Sequence, residues 1–152
     1  MRPSSSSRGV VPGAGGDPAP PLVLLFATKF AALAPMALDA FARTLVPAMV
    51  LARASSLVMM RAIPPAPETL VTLAGPPSPA GWAFAALTSA LSLAAFGFHA
   101  WLPLAATALA TFGAIVIVRR KVGGINGDQL GAANQLVEIS VMLAGVVVFV
   151  ER

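Results

Sequence analysis

Residues 119–138, RRKVGGINGDQLGAANQLVE, bring three basic side chains, a run of glycines and two carboxylates into one short stretch. Gly123, Gly124 and Gly127 let backbone N–H groups turn toward a ligand with no Cβ in the way. Asp128 then falls where a helix begins. At 100° per residue, Asp128, Gly131, Gln135 and Glu138 share one stripe of that helix, and Gly131 keeps the stripe open. Ten residues separate the two acids, so Glu138 lies roughly 15 Å further along the axis. If the helix enters a membrane, Glu138 is well inside it, where an unpaired carboxylate is costly.

The other charges at membrane depth are Lys29 and Arg53, and either is a candidate partner for Glu138 across a helix bundle. Carboxylates, cationic groups and a glycine-rich loop together suit phosphates bridged by Mg²⁺, a hard cation that prefers oxygen ligands. Plainer roles compete for the same residues. Asp128 can cap the helix, Glu138 with Arg53 can be a structural ion pair, and Arg119, Arg120 and Lys121 can serve as an orientation signal. The single histidine, His99, sits beside Trp101 and suits an interface better than a zinc site, which needs more ligands.

The elements that must carry these residues follow from composition. Of the 152 residues 57% are hydrophobic and 11% charged, against about a quarter charged in soluble domains. Residues 69–118 contain no Asp, Glu, Lys or Arg, and a spanning helix needs only about 20 such residues. The bilayer is therefore the expected solvent and the fold class all-α, a polytopic helix bundle. With no cysteine, disulfides, thiolate metal sites and catalytic Cys are excluded. The net charge of +4 is scattered at the ends of apolar runs, which argues against a nucleic-acid partner.

Residues 1–19 are rich in Ser, Gly and Pro, lack the apolar core of a signal peptide, and read as a disordered leader. About five transmembrane helices follow, over residues 20–38, 40–60, 80–100, 102–118 and 130–150. The prolines at 64, 65, 67, 76, 77 and 79 make residues 61–79 a loop, and residues 119–129 form the glycine-rich motif loop. Alternating spans place Arg2, Arg8, Arg61, Arg119, Arg120 and Lys121 on one side and Arg43 and Arg152 on the other. By the positive-inside rule the N-terminus and motif loop are cytoplasmic and the C-terminus outside, in the cell (inner) membrane.

The glycine stripe resembles the C-terminal portion of the membrane-bound cobalamin synthases, adenosylcobinamide-GDP ribazoletransferases. These carry basic residues, then a G-G-x-x-G-D-x-L-G-A run and a helix with a Gln/Glu pair. Gly123, Gly124, Gly127, Asp128, Leu130, Gly131, Ala132 and Glu138 match that pattern. LVLLFATKFAAL at residues 22–33 is similar to the family's apolar segment with an embedded Lys, and the LAR preceding Ser55 to a place where the family puts an Arg. The resemblance spans about residues 20–150.

It implies a Mg²⁺-dependent transfer in the last steps of cobalamin biosynthesis. Adenosylcobinamide-GDP and α-ribazole, or its 5′-phosphate, would give cobalamin, or its phosphate, and GMP. Asp128 and Glu138 would be the catalytic and metal-site acids. Gly123, Gly124, Gly127, Gly131, Gln135, Arg53 and Lys29 would bind substrate, with membrane lipids as surroundings. The resemblance leaves out two family features, a D-G-x-x-D-x-x-D-G acidic motif and a D-S-R-x-G-T-x-G segment. The chain therefore reads as the C-terminal part of such an enzyme, truncated or given a wrong start, with a missing N-terminal half or a partner membrane subunit as its expected partner. The rival reading is a non-enzymatic membrane protein, a transporter fragment or a partner-dependent inactive fragment, in which the same charges serve ion pairing or substrate passage.

Overall fold

The computed structural model describes residues 19–67, 71, 75–121 and 124–150. Five α-helices are delimited among these residues: α1 (Ala19–Leu33), α2 (Leu38–Ala62), α3 (Pro79–Leu93), α4 (Trp101–Lys121) and α5 (Gly127–Phe149), with a 3₁₀ segment, Ala94–His99, between α3 and α4. Among the described residues there is no strand, and one isolated parallel bridge joins Pro65 to Ile125. The fold is the expected all-α membrane bundle. Four of its helical segments, Leu38–Ala62, Pro79–His99, Trp101–Lys121 and Gly127–Phe149, are long and apolar enough to cross a bilayer.

The helix boundaries depart from the apolar runs for local reasons. Pro35 lacks an N–H and disfavours helix at Ala34, so α1 ends at Leu33 in a turn closed by Ala34 N–H to Phe30 and Met36 N–H to Leu33. The helical break thus comes several residues before Asp39. The 15 residues of α1 rise roughly 22 Å, short of the ~30 Å hydrocarbon core. Ahead of α4, Gly97 takes φ 54° and ψ −127° and interrupts regular helix. The start of α3 is conventional, with Pro79 in the first turn and the Ser78 hydroxyl accepting from Gly81 N–H at 3.1 Å. The expected leader, Ala19 apart, and part of the 61–79 loop lie outside the described residues.

α5 is the central helix, packed on α2, α4 and α1. One core layer joins Ala32, Ala48, Leu51, Ala52, Val137, Val141 and Met142. A second, nearer the motif loop, joins Met59, Ile63, Ala114, Val118, Ile125 and Ala133. Small residues let α2 and α5 approach closely, and Gly145 lies so near Thr44 that any Cβ there would collide with it. By contrast α3 buries no residue, packs on α2 and barely touches α4. Large apolar side chains point outward, Phe30 at 77%, Phe84 at 69% and Leu109 at 73% exposed. Surfaces of that kind suit lipid rather than water.

Candidate functional site at the motif loop and the α1–α5 seam

The motif loop is anchored before it is open. Ile125 is fully buried; its N–H donates to Pro64 and its carbonyl accepts from Ala66 N–H, both at 2.9 Å. That pairing draws the backbone of Gly124 against Ala66, where an added Cβ would stand 3.1 Å from the Ala66 Cα. Gly124 is thus required for close packing of the loop on the end of α2. The Arg119 guanidinium donates to the Ala62 carbonyl, one of the orphan acceptors at the C-terminus of α2. Arg120 and Lys121 are exposed, and Gly123 lies outside the described residues.

α5 then begins with a capping box. The Asn126 side chain accepts from Gln129 N–H at 2.9 Å, and the Gln129 side chain accepts from Asn126 N–H at 3.1 Å. Asp128 is therefore not the cap. It is exposed in the first helical turn, where the helix dipole favours a carboxylate. Among the described residues it makes no side-chain hydrogen bond or ion pair. Beside it the Cα positions of Gly127 and Gly131 face open space, with nothing within 4 Å of an added Cβ.

Two turns further along, the same stripe enters the bundle. Lys29 of α1 donates to both Gln135 and Glu138, which are three residues apart and so share a face of α5. The side chains of Lys29 and Glu138 are 17% and 11% exposed. Mutual neutralisation is what makes two charges tolerable at that depth. The pair also fastens α1, whose packing in the bundle is mainly against α5. On the α2 side the Ser56 hydroxyl donates to the Asn134 side-chain carbonyl. Residues 134–138 thus form a polar layer tying α5 to both neighbours.

Of the two candidate partners for Glu138, Lys29 is the one the fold selects. Arg53 is exposed and lies with Met49, Leu57, Phe84 and Thr88 along the α2–α3 groove. The reason is rotation: Ala52 and Ser56 occupy the face of α2 that meets α5, and Arg53 is one residue, about 100°, round from it. The structure joins Lys29, Gln135 and Glu138, keeps Asp128 and Gly131 on the same stripe at its open end, and places Arg53 elsewhere. Neither Asn134 nor Ser56 carries a charge to draw notice in the sequence; Asn126 and Gln129 also escape it, with Asp128 the expected cap, although an Asn followed three residues later by Gln has the spacing of a capping box.

The carboxylates of Asp128 and Glu138 do not share one ion, being ten residues apart on one continuous helix. Among the described residues no three His, Cys, Asp or Glu side chains cluster for metal binding. A Mg²⁺ ion is commonly held by one or two carboxylates with substrate phosphates and water completing its shell. Asp128, accessible and unpaired among the described residues, fits that mode, and the buried, Lys29-bound Glu138 does not.

A bundle of apolar helices, four of them long enough to span, with a sealed ion pair inside and an anchored glycine loop at one end, defines a multi-pass membrane protein. Its polar stripe runs from the membrane surface inward. Residues 12–146 match the model of the CobS family, cobalamin-5-phosphate synthase, and the chain belongs to that family, which acts in the last step of cobalamin synthesis. No curated protein and no solved structure matches the chain.

Proposed function

We propose that the chain supplies the diphosphate-binding end of an adenosylcobinamide-GDP ribazoletransferase site. The observation that carries this is Asp128, accessible and unpartnered among the described residues, between two glycines that leave space for a ligand at the motif-loop end of α5. A hydroxyl of α-ribazole, or of its 5′-phosphate, attacks the phosphorus that stays with cobinamide. The bond from that phosphorus to the bridging oxygen breaks, its electron pair leaves with GMP, and the hydroxyl proton passes to solvent. Mg²⁺, when bound, would neutralise charge on the diphosphate oxygens, with Asp128 as its protein ligand.

Gly127 and Gly131 admit the ligand to the helix face, and Gly124 holds the loop that shapes the entrance. Lys29, Gln135 and Glu138 form the floor. Because Lys29 already engages Glu138, the acid is a positioning residue that fixes α1 against α5 rather than a proton carrier. Basic residues concentrate at the motif end. Arg119 is bonded to the end of α2, and the tight α1–α2 turn returns the α1 N-terminus to the same end. That asymmetry supports an inner-membrane orientation with the N-terminus and motif loop cytoplasmic and the C-terminus outside.

The test is equilibrium binding of adenosylcobinamide-GDP to the purified chain with Mg²⁺, followed by corrinoid absorbance. Wild type retains the corrinoid, and Asp128→Asn weakens binding about tenfold or more. Equal retention by both proteins would remove Asp128 from the site, and no retention by the wild type would favour a non-enzymatic membrane role.

A further inference from the structure

A second feature lies away from the Lys29–Glu138 seam and meets the motif-loop end only at Arg119. Because α3 and α4 diverge, they leave with α2 an apolar groove of about 500 Å³, lined among others by Val58, Trp82, Ala86, Ala108 and Ile115. The groove follows α3 from Trp82 to Leu93 and α4 from Leu104 to Ile115. Eleven residues of rise on each helix make it about 16 Å long, close to half the ~30 Å hydrocarbon core. A single alkyl chain fits, since carbons in contact stand only about 4 Å apart.

What stands over the mouth identifies the occupant. Arg61 lies three residues beyond Val58 on α2, and Arg119 four beyond Ile115 on α4, so each continues a groove-lining face by one turn. Both are exposed. Arg119 bonds the carbonyl of Ala62, the neighbour of Arg61, which brings the two basic positions to the same end of α2. A guanidinium has five donors, so one backbone contact leaves Arg119 able to take a phosphate. Trp82 lies at this same end, where an amphipathic ring suits the headgroup level.

We infer that this groove binds one anionic phospholipid, an acyl chain lying between α3 and α4 and its phosphate held by Arg61 and Arg119. Lipid here fills the wedge that α3, with no buried residue of its own, leaves open. The inference is independent of the reading of Asp128.

Trp82 is the natural reporter, and Trp101→Phe makes it the sole tryptophan. That protein is reconstituted in phosphatidylcholine vesicles containing, at equal mole fraction, either dibrominated phosphatidylglycerol or dibrominated phosphatidylcholine. Trp82 fluorescence is quenched more by the anionic lipid, with a preference of roughly fivefold per arginine. Arg61→Gln with Arg119→Gln removes the preference, and Ala86→Leu with Ala108→Leu, which fill the groove, lowers quenching by both lipids. Equal quenching by the two lipids in the Trp101→Phe protein would overturn the inference, as would a preference that survives loss of both arginines. So would loss of the preference on adding inorganic phosphate at constant ionic strength, because the arginines would then be taking a free anion.

Discussion

The two ends of the polar stripe on α5 obey opposite rules. In the first turns, Asp128 stands exposed and unpartnered among the described residues, and the glycines around it leave space. In the middle of the same helix, Asn134, Gln135 and Glu138 are all engaged, two of them by one lysine. Position relative to the bilayer explains the difference. A carboxylate at the aqueous end costs little to leave free and so remains available to a ligand. One at depth must be neutralised by its own protein, and the bond that neutralises it also fixes the fold. The same helix thus separates binding from positioning along its length.

The largest effect expected is at the deep end. Lys29→Met strands Glu138 in the bundle and destabilises the protein by about 3–5 kcal/mol, measured by denaturation in mixed micelles. Lys29→Met with Glu138→Leu recovers most of that loss, since no charge is left unpaired. A double variant no more stable than the single one would mean that Glu138 is held by something other than Lys29.

Next in size is the loop anchor. Gly124→Ala pushes a Cβ against the Ala66 backbone and costs about 1–3 kcal/mol, whereas Gly127→Ala and Gly131→Ala, facing open space, leave stability unchanged or slightly raised. Equal behaviour of the three alanine variants in the same assay would erase the distinction between anchoring and open glycines.

Smaller still is the neutral contact in the polar layer. Ser56→Ala removes its bond to Asn134 for about 0.6 kcal/mol, so a loss as large as that of Lys29→Met would make the neutral bond rather than the ion pair the main tie at this depth.

Much of this is legible in the sequence. The long charge-free tract and the basic clusters specify a membrane helix bundle, and the spacing of Asp128, Gly131, Gln135 and Glu138 specifies one helix face; Gln135 and Glu138 do meet the same lysine. The choice between Lys29 and Arg53 was not legible, because both lie in apolar sequence and only the rotation of α2 turns Arg53 away. The apolar run over residues 20–38 outlasts α1 because hydropathy sees no break at Pro35, while the backbone does. The role of Gly124 was half visible. Its lack of a side chain suggests an opening toward ligand, and the structure uses it to bring two backbone segments together, which depends on a loop about sixty residues earlier in the chain.

The division between a binding end and a positioning end is tested most directly by one set of titrations. Adenosylcobinamide-GDP is titrated in Mg²⁺ against the wild-type chain, Asp128→Asn, and the Lys29→Met with Glu138→Leu double variant. The account predicts that Asp128→Asn loses about tenfold or more in affinity with unchanged stability, and that the double variant binds nearly as the wild type does. Undiminished binding by Asp128→Asn together with loss in the stably folded double variant would contradict it, placing the ligand at the deep pair.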